Sequence, residues 1–189
     1  MELLDIRDRQ GNLTGEVKER SKVHADGDIH GTSHVWIVKK NKKGSYDLLL
    51  QKRSENKDAF PGCYDISSAG HLPAGQDYRT SALRELEEEL GIKAEPEQLH
   101  FIGVHEGNCE EIFYGKPFKN HEISHVYLYC EPINIDELKL QEEEVQEVRW
   151  IDFETCCEKA KTGDKKYCIF PEELNMIKKY LNGSVNYSV

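Results

Sequence analysis

The segment from Gly70 to Ile92 (GHLPAGQDYRTSALRELEEELGI) constrains the fold of this chain more than any other part of it. Leucines recur in it at helical spacing and predict a helix over about Tyr78–Leu90, with one face against a core. Asp77 is expected to cap the start of this helix, and Gly91 to end it. The apolar stripe consists of Leu83, Leu86 and Leu90.

The same helix carries three acidic residues at i, i+3 and i+4, namely Glu85, Glu88 and Glu89. At these spacings the side chains share one face, with neighbouring Cβ atoms roughly 5–6 Å apart. Like charges so arranged destabilise a helix slightly, which favours a cation-binding role. Taken alone, the three carboxylates favour an ordinary solvated acidic face.

The surrounding spacing is more specific than the carboxylates. A Gly is followed by five residues, a polar residue, seven residues and then RELEEELGI. This pattern resembles the Nudix box, which reads G, five residues, E, seven residues and REUxEExGU, where U is aliphatic. The matching residues are Gly70, Arg84, Glu85, Leu86, Glu88, Glu89, Gly91 and Ile92. Gln76 departs from the pattern, because the family has Glu there.

The resemblance implies an α+β fold, an α/β/α sandwich with a mixed β-sheet. Strand-like and helix-like segments alternate along the chain in agreement with this fold. We predict a single Nudix domain over residues 1–189, with the box at 70–92. An N-terminal β-hairpin is expected at 1–20 and a C-terminal helical segment at 153–189.

The resemblance also implies a cofactor and its ligands. Mg²⁺, with Mn²⁺ as an alternative, would be held by Glu85, Glu88 and Glu89 and by the backbone carbonyl of Gly70. Hard oxygen ligands of this kind suit Mg²⁺. The three carboxylates are also the predicted catalytic groups, and Glu85 is a candidate base for the attacking water. Glu122 is a candidate further ligand or base, although a surface carboxylate at a strand edge is an equal alternative.

Three box residues have predicted structural roles. In the family, Arg84 pairs with the residue at position 76, and this pair braces the loop against the helix. Gln76 is expected to accept a hydrogen bond from Arg84 without the strength of a charge-assisted pair. Gly91 is expected to terminate the helix.

The stretch LLLQKRSENKDAFPGCYDISSAGH resembles the segment before the box in Nudix proteins related to isopentenyl diphosphate isomerase. Those isomerases carry a catalytic Cys where this chain has Ala69, and Ala cannot transfer a proton. By the same resemblance, His30 and His71 are expected to contact substrate or metal. Lys52 and Arg53 are candidate contacts for substrate phosphates, with exposed strand-end charges as the alternative. The histidines expected to be ordinary are His24, His100 and His105.

Composition restricts the partners. The net charge of −10 argues against binding to a nucleic-acid polymer. The N-terminus does not resemble a signal peptide, and apolar runs long enough to span a membrane are missing. The six cysteines show no CxxC spacing, which argues against zinc and is typical of a reduced, cytoplasmic protein. We therefore expect a small-molecule diphosphate substrate and no membrane partner, and a homodimer is left open.

Three functions remain after this reasoning. The first is a Mg²⁺-dependent hydrolase of a nucleoside diphosphate or a related nucleotide derivative. The second is an isopentenyl diphosphate isomerase, opposed by Ala69. The third is a catalytically weak module that binds a diphosphate or nucleotide, suggested by Gln76. Two local predictions also bear on the fold: a loop over Val23–Gly31, and separate strands over Leu99–His105 and Ile112–Tyr114.

Overall fold

The computed structural model describes residues 2–183 and folds them into a mixed nine-stranded β-sheet with helices on both faces. The strands are β1 (Leu3–Arg7), β2 (Leu13–Glu19), β3 (Ile29–Lys40), β4 (Tyr46–Arg53), β5 (Tyr64–Asp65), β6 (Ser68–His71), β7 (Leu99–Phe113), β8 (Lys116–Tyr129) and β9 (Val145–Asp152). The helices are α1 (Arg20–Asp26), α2 (Tyr78–Leu90), α3 (Phe153–Thr162) and α4 (Pro171–Leu181), with 3₁₀ turns at Pro96–Gln98 and Ile135–Glu137. Residues 184–189 of the predicted C-terminal segment lie outside the described residues.

Strand β3 organises the sheet because four other strands pair with it. It runs parallel to β8 over Ile29–Ile37 and antiparallel to β6, β4 and β1. Strands β4 and β9 pair antiparallel, as do β7 and β8. Strands β1 and β2 pair antiparallel within the segment predicted as a hairpin. The first half of β3 therefore lies between residues 121–126 of β8 and strand β6.

Side chains alternate across the sheet and fill two cores. On β3, Val35 and Ile37 face α2 and pack with its Leu86 and Leu90. Trp36 and Val38 face the opposite side, in a cluster that contains residues of α3 and α4. This two-faced burial follows from the period of two along a strand. The predicted α+β class and α/β/α sandwich are thus confirmed.

Helix α2 forms as the sequence predicts. The Asp77 carboxylate accepts a 2.9 Å hydrogen bond from the Thr80 backbone N–H, which satisfies a donor at the helix start. Gly91 takes φ 71°, a left-handed conformation that glycine adopts without strain, and its N–H bonds carbonyls of the last turn. Of the predicted stripe, Leu86 and Leu90 are fully buried and Leu83 is partly buried.

The predicted loop over Val23–Gly31 is wrong. Residues 20–26 form α1, which ends at Gly27 with φ 81°, and β3 begins at Ile29. A helix of seven residues has little stability alone, so packing decides its formation. Val23 supplies that packing, because its side chain is buried with Leu4 and Ile6 of β1.

The predicted separate strands over 99–105 and 112–114 are one strand, β7, which pairs with β8 from Leu99 to Phe113. The acidic residues between the two predicted strands are poor strand formers, so the sequence does not show that one strand continues through them. Tyr114 and Gly115, with φ 51° and φ 74°, make the turn into β8. Among the helices of residues 2–183, none has both the length and the apolar character needed to cross a membrane.

Candidate active site

A cavity of about 500 Å³ opens at the end of the sheet where β3, β6 and β8 meet. Helices α1 and α2, strand β7, the loop between β4 and β5, the segment before β9 and the connection between α3 and α4 also contribute to its wall. The predicted metal and catalytic residues that line it are Gly70, His71, Glu85, Glu88, Glu89 and Glu122.

The three carboxylates of α2 face this cavity but differ in exposure. The Glu88 side chain is 51% exposed and that of Glu85 is 13% exposed, whereas Glu89 is buried. The Glu89 carboxylate accepts hydrogen bonds from the Ala69 N–H at 3.2 Å and from the Gln51 side-chain amide at 3.4 Å. The sequence-based view of a solvated acidic face is therefore wrong for Glu89.

Burial also changes the protonation of two of these carboxylates. It raises the pKa of Glu85 to about 7, against the opposing effect of Arg84. Burial, assisted by the negative charge of Glu85, raises the pKa of Glu89 to about 8. The charged form of both carboxylates is therefore disfavoured by burial, which a bound cation would relieve.

Gly70 is required by the close approach of β6 to α2. A Cβ atom at this position would overlap the Glu85 carboxylate. Gly70 is fixed on the sheet by its pairing with Ser33 of β3. The backbone of β6 therefore lies directly against one of the candidate metal ligands.

Arg84 braces the carboxylates rather than the loop. Its guanidinium donates 2.6 Å hydrogen bonds to Glu85 and to Glu88, and a 3.3 Å bond to the His71 carbonyl. The predicted bond between Arg84 and Gln76 is not formed, because Arg84 makes charge-assisted bonds on its own helix instead. The amide oxygen of Gln76 accepts a hydrogen bond from the Ser81 hydroxyl at 3.2 Å.

Three histidines from separate elements converge beside these carboxylates. Ring nitrogens of His24 on α1, His30 on β3 and His71 on β6 lie within 4.8 Å of one another. The Nε2 atoms of all three are buried and make no hydrogen bond with any described residue. Glu122 Oε1 lies 3.9 Å from the Nε2 of His30 and 4.0 Å from that of His71.

The protonation of His24 and His71 suits a metal. Burial lowers the pKa of His24 to about 3 and holds that of His71 well below its usual value. Neutral imidazoles with unpartnered nitrogens are the form that binds metal ions. His24, which the sequence reasoning set aside as ordinary, therefore belongs to the site.

A buried hydrogen-bond network lies behind Glu122. His34 Nδ1 bonds Glu173 at 2.7 Å, and the Trp36 indole N–H donates to the same carboxylate at 2.7 Å. Although burial opposes protonation, the Glu173 carboxylate raises the pKa of His34 to about 9. His34 Nε2 lies 3.9 Å from Glu122. Sequence reasoning missed His34, although its alternation with His30 and Thr32 along β3 was a usable signal.

The two basic residues predicted to meet phosphate lie on opposite faces of β4. Arg53 lines the cavity, pairs with Asp65 at 2.8 Å and donates to the Ala59 carbonyl. Lys52 does not line it, because successive side chains of a strand alternate in direction. Lys57, which was not predicted, lines the cavity and forms an ion pair with Glu144.

Comparison with known proteins gives the class of this chain. A family model described as the NUDIX domain matches residues 31–171. Nudix hydrolase 3 of Arabidopsis thaliana is 42% identical over 155 residues, which cover 81% of this chain and 19% of that protein. An uncharacterized Nudix hydrolase of Clostridium acetobutylicum is 41% identical over 144 residues, covering 76% of this chain and 66% of that protein. The chain spans less than two thirds of either relative.

Solved structures share the fold at low identity. DR0079 of Deinococcus radiodurans superposes with a TM-score of 0.65 and 15% identity, covering 92% of this chain and 98% of that one. The NUDIX domain of Shewanella oneidensis NrtR, complexed with ADP ribose, gives a TM-score of 0.53 and 12% identity, covering 82% of this chain and 88% of that one.

The chain belongs to the Nudix hydrolase family, as its box predicts. Its assignment to the branch related to isopentenyl diphosphate isomerase stays a prediction.

Proposed function

We propose that this chain is a Mg²⁺-dependent hydrolase that cleaves a diphosphate linkage in a nucleoside diphosphate or a related nucleotide derivative. One observation carries the proposal: Glu85 and Glu89 line the cavity with raised pKa values, Glu85 against the backbone of Gly70 and Glu89 against that of Ala69. A divalent cation would neutralise the two carboxylates and accept phosphate oxygens of a substrate at the same point.

The residues of the cavity divide the work of hydrolysis. Glu85, Glu88, Glu89 and the Gly70 carbonyl would hold Mg²⁺, and Mn²⁺ suits the same oxygen ligands. When bound, the cation neutralises phosphate charge and lowers the pKa of bound water. Glu85 is the proposed base that accepts the water proton, with Glu122 as the alternative. Arg84 holds the Glu85 and Glu88 carboxylates in place through its 2.6 Å hydrogen bonds.

Arg53 is the proposed phosphate contact, and Lys57 joins it as a second positive charge on the cavity wall. Lys52 is withdrawn from this role because it does not line the cavity. The guanidinium of Arg53 retains donors beyond those that bond Asp65 and Ala59, and a planar fork suits phosphate oxygens.

We further infer that His24, His30, His71 and Glu122 hold a second divalent cation. Three unpartnered imidazole nitrogens and a carboxylate about 4 Å away support this inference. Such a donor set suits Zn²⁺ or Mn²⁺ better than Mg²⁺. The CxxC argument against zinc does not apply to it, because the ligands are histidines.

This histidine cluster is also the observation that favours the second candidate, isopentenyl diphosphate isomerase, since those enzymes bind a metal through histidines and carboxylates. Ala69 opposes it, because a methyl group neither donates nor accepts a proton. Cys109 and Cys168 line the same cavity, so thiols are nearby although none is at position 69.

The third candidate, a catalytically weak binding module, depends on Gln76. This side chain is exposed and bonds Ser81 at 3.2 Å, and the acidic side chains of α2 keep their positions without it. Loss of the family's Glu at this position therefore gives little reason to expect loss of turnover.

A panel of nucleotide, sugar and prenyl diphosphates, each incubated with Mg²⁺ or with EDTA, separates the three candidates. Phosphate release or diphosphate cleavage that requires the metal supports the hydrolase. Isomerised product with no cleavage supports the isomerase instead. Saturable binding without either product identifies the module and overturns the proposal.

We also expect a cytoplasmic protein that acts on small molecules rather than on nucleic-acid polymers or membranes. Its assembly as a monomer or homodimer stays open.

A further inference from the structure

Cys63 and Cys168 are distant in sequence but lie on neighbouring backbone segments beside the cavity. The Tyr64 N–H donates to the Lys166 carbonyl at 2.7 Å, and the Cys168 N–H donates to the Tyr64 carbonyl at 2.9 Å. Tyr64 and Tyr167 form a parallel bridge. The start of β5 and residues 166–168 therefore run side by side.

Each thiol reaches across to the other segment. Cys63 Sγ donates to the Lys165 carbonyl at 3.4 Å, and Cys168 Sγ donates to the Tyr64 carbonyl at 3.4 Å. Both cysteines are partly exposed. The two sulfur atoms thus lie between the same two stretches of backbone.

The chemistry of the two thiols is asymmetric. A hydrogen bond from the Cys168 thiol lowers the pKa of Cys63 to about 7, and the Arg53 guanidinium acts in the same direction. The same interaction, together with burial, raises the pKa of Cys168 well above its usual value. One sulfur is therefore partly ionised near neutral pH while its neighbour remains a thiol, a combination that suits oxidation sensors.

The other cysteines of the chain lack this environment. Burial raises the pKa of Cys156 to about 12 and also raises the pKa of Cys109, Cys130 and Cys157. Oxidation is expected to begin at a cysteine that is both partly ionised and accessible to solvent. Cys63 alone among the six combines both.

We propose that Cys63 and Cys168 form a peroxide-sensitive dithiol that closes to a disulfide. The Cys63 thiolate attacks hydrogen peroxide, the O–O bond breaks, and the products are a Cys63 sulfenic acid and hydroxide. The Cys168 sulfur then attacks the Cys63 sulfur, the S–O bond breaks, and the thiol proton leaves with the hydroxyl group as water. The two sulfurs lose two electrons in total, and the peroxide is reduced to water.

The disulfide would join two walls of the cavity. The loop before Cys63 carries Lys57 and Phe60, and the segment around Cys168 carries Tyr167 and Phe170, all of which line it. Thioredoxin-type reductants would reopen the bond, as expected for a transient disulfide in a reducing compartment.

The test is peptide mapping of the full chain after graded treatment with hydrogen peroxide. Trypsin would release Cys63 in residues 58–79 and Cys168 in residues 167–178, with no other cysteine in either peptide. We expect these two peptides to appear cross-linked, lighter by two hydrogens, before Cys130 is modified. Dithiothreitol should separate them.

Variants make the order of events testable. Cys168→Ser should leave a Cys63 sulfenic acid that dimedone traps, whereas Cys63→Ser should leave Cys168 unmodified. Cys130→Ser is the matched control and should cross-link like the wild type. Oxidation of other cysteines without the 63–168 peptide, or no trapped sulfenic acid in Cys168→Ser, would overturn the proposal. If the variants fold poorly, the wild-type map still decides, and it does so independently of the proposed hydrolase activity.

Discussion

At the scale of single residues, the acidic side chains of α2 are not equivalent. Glu88 is half exposed and bound to Arg84, whereas Glu89 is buried against β6 and accepts hydrogen bonds from neutral donors, among them the Ala69 N–H and the Gln51 amide. A buried carboxylate without a cationic partner is unfavourable in its charged form. Replacing Glu89 by a neutral residue of the same size should therefore test its role in metal binding with little loss of stability.

Glu89→Gln should lower turnover of the best diphosphate substrate by orders of magnitude while the protein remains folded. The amide keeps the size and the hydrogen-bonding oxygen of the side chain but loses the charge that a cation needs. Steady-state kinetics over a Mg²⁺ titration, with circular dichroism on the same samples, make the measurement. Glu87→Gln is the control, because Glu87 is an exposed residue of the same helix that does not line the cavity. Wild-type turnover in Glu89→Gln would remove Glu89 from the site.

Stability of the metal-free protein should fall as pH rises. The folded-state pKa values of Glu85 and Glu89, about 7 and about 8, lie above the ordinary value of 4.5, so the folded state holds more protons than the unfolded state between these limits. Stability then decreases with increasing pH across that window. Melting temperatures in EDTA from pH 5.5 to 8.5 test this, and the decrease should be smaller in Glu89→Gln, whose side chain does not ionise. Equal slopes in both proteins would contradict the pKa of Glu89.

The histidine cluster should bind its own metal equivalent. Replacing His24 by Asn should remove one bound Zn²⁺ or Mn²⁺ per chain, because a tetrahedral site loses most of its affinity with one ligand. Metal content after dialysis, measured by elemental mass spectrometry, is the readout. His100→Asn serves as control, since His100 lies on β7 next to Tyr180, away from the cluster. Unchanged stoichiometry in His24→Asn would show that the three nitrogens do not form a site.

At the scale of elements, the loop from β6 to α2 determines how the box is held. At the end of this loop the Asp77 carboxylate caps α2. It accepts hydrogen bonds from the backbone N–H and the hydroxyl of Thr80, at 2.9 and 2.6 Å. The connection of this loop to the helix through Gln76 is weaker, since the Gln76 side chain is exposed and accepts a hydrogen bond from the Ser81 hydroxyl at 3.2 Å. The helix start therefore depends on Asp77 more than on the residue at which this chain departs from the family.

Asp77→Ala should destabilise the fold by about 1 kcal/mol, the usual cost of losing an N-cap acceptor. Asp77→Asn is the control and should cost less, because the amide oxygen still accepts the Thr80 N–H. Gln76→Glu should change both stability and turnover little, because Arg84 already donates to two carboxylates. Urea denaturation measures the free energy of unfolding in all three variants. A hydrolase that becomes active only with Gln76→Glu would make the natural chain a binding module.

At the scale of the whole molecule, the cavity combines features of two enzyme classes. The carboxylates of α2 point to hydrolysis, and the convergent histidines resemble those expected of an isomerase. Position 69 favours the proposed hydrolase, because a proton must be moved at carbon for isomerisation and the Ala69 side chain cannot move one. The thiols that line the cavity come from β7 and from the connection between α3 and α4, not from β6.

Isomerase activity should accordingly be absent. The measurement is exchange of solvent deuterium into isopentenyl diphosphate, followed by NMR in heavy water with Mg²⁺ and with Zn²⁺ present. Exchange at a rate comparable to hydrolysis of the best diphosphate would reverse the ranking of the two candidates. In that case Cys109→Ser and Cys168→Ser would identify the thiol responsible.

The sequence by itself determined the helix of the box, its caps and the family, because capping, helical periodicity and a fixed spacing of residues are local properties of the chain. It also indicated Gly70, Glu85, Glu88 and Glu89 together, since they lie within one short stretch of sequence. Only the tertiary structure decided which of these carboxylates is buried. It also decided that Arg84 donates hydrogen bonds to Glu85 and Glu88 rather than to Gln76. The tertiary structure likewise decided that Arg53 lines the cavity and that its neighbour Lys52 does not.

The same distinction explains the residues that were missed. Thr32 and Ser124 are 92 positions apart, yet their hydroxyls lie 2.7 Å from one another, because β3 and β8 pair in parallel with one register. That register sets Glu122 beside His30, while α1 brings His24 and β6 brings His71. Glu173 reaches His34 across 139 positions, and Cys168 reaches Cys63 from another connection. No local pattern encodes such distances, because they follow from the order in which strands and helices pack around a shared core.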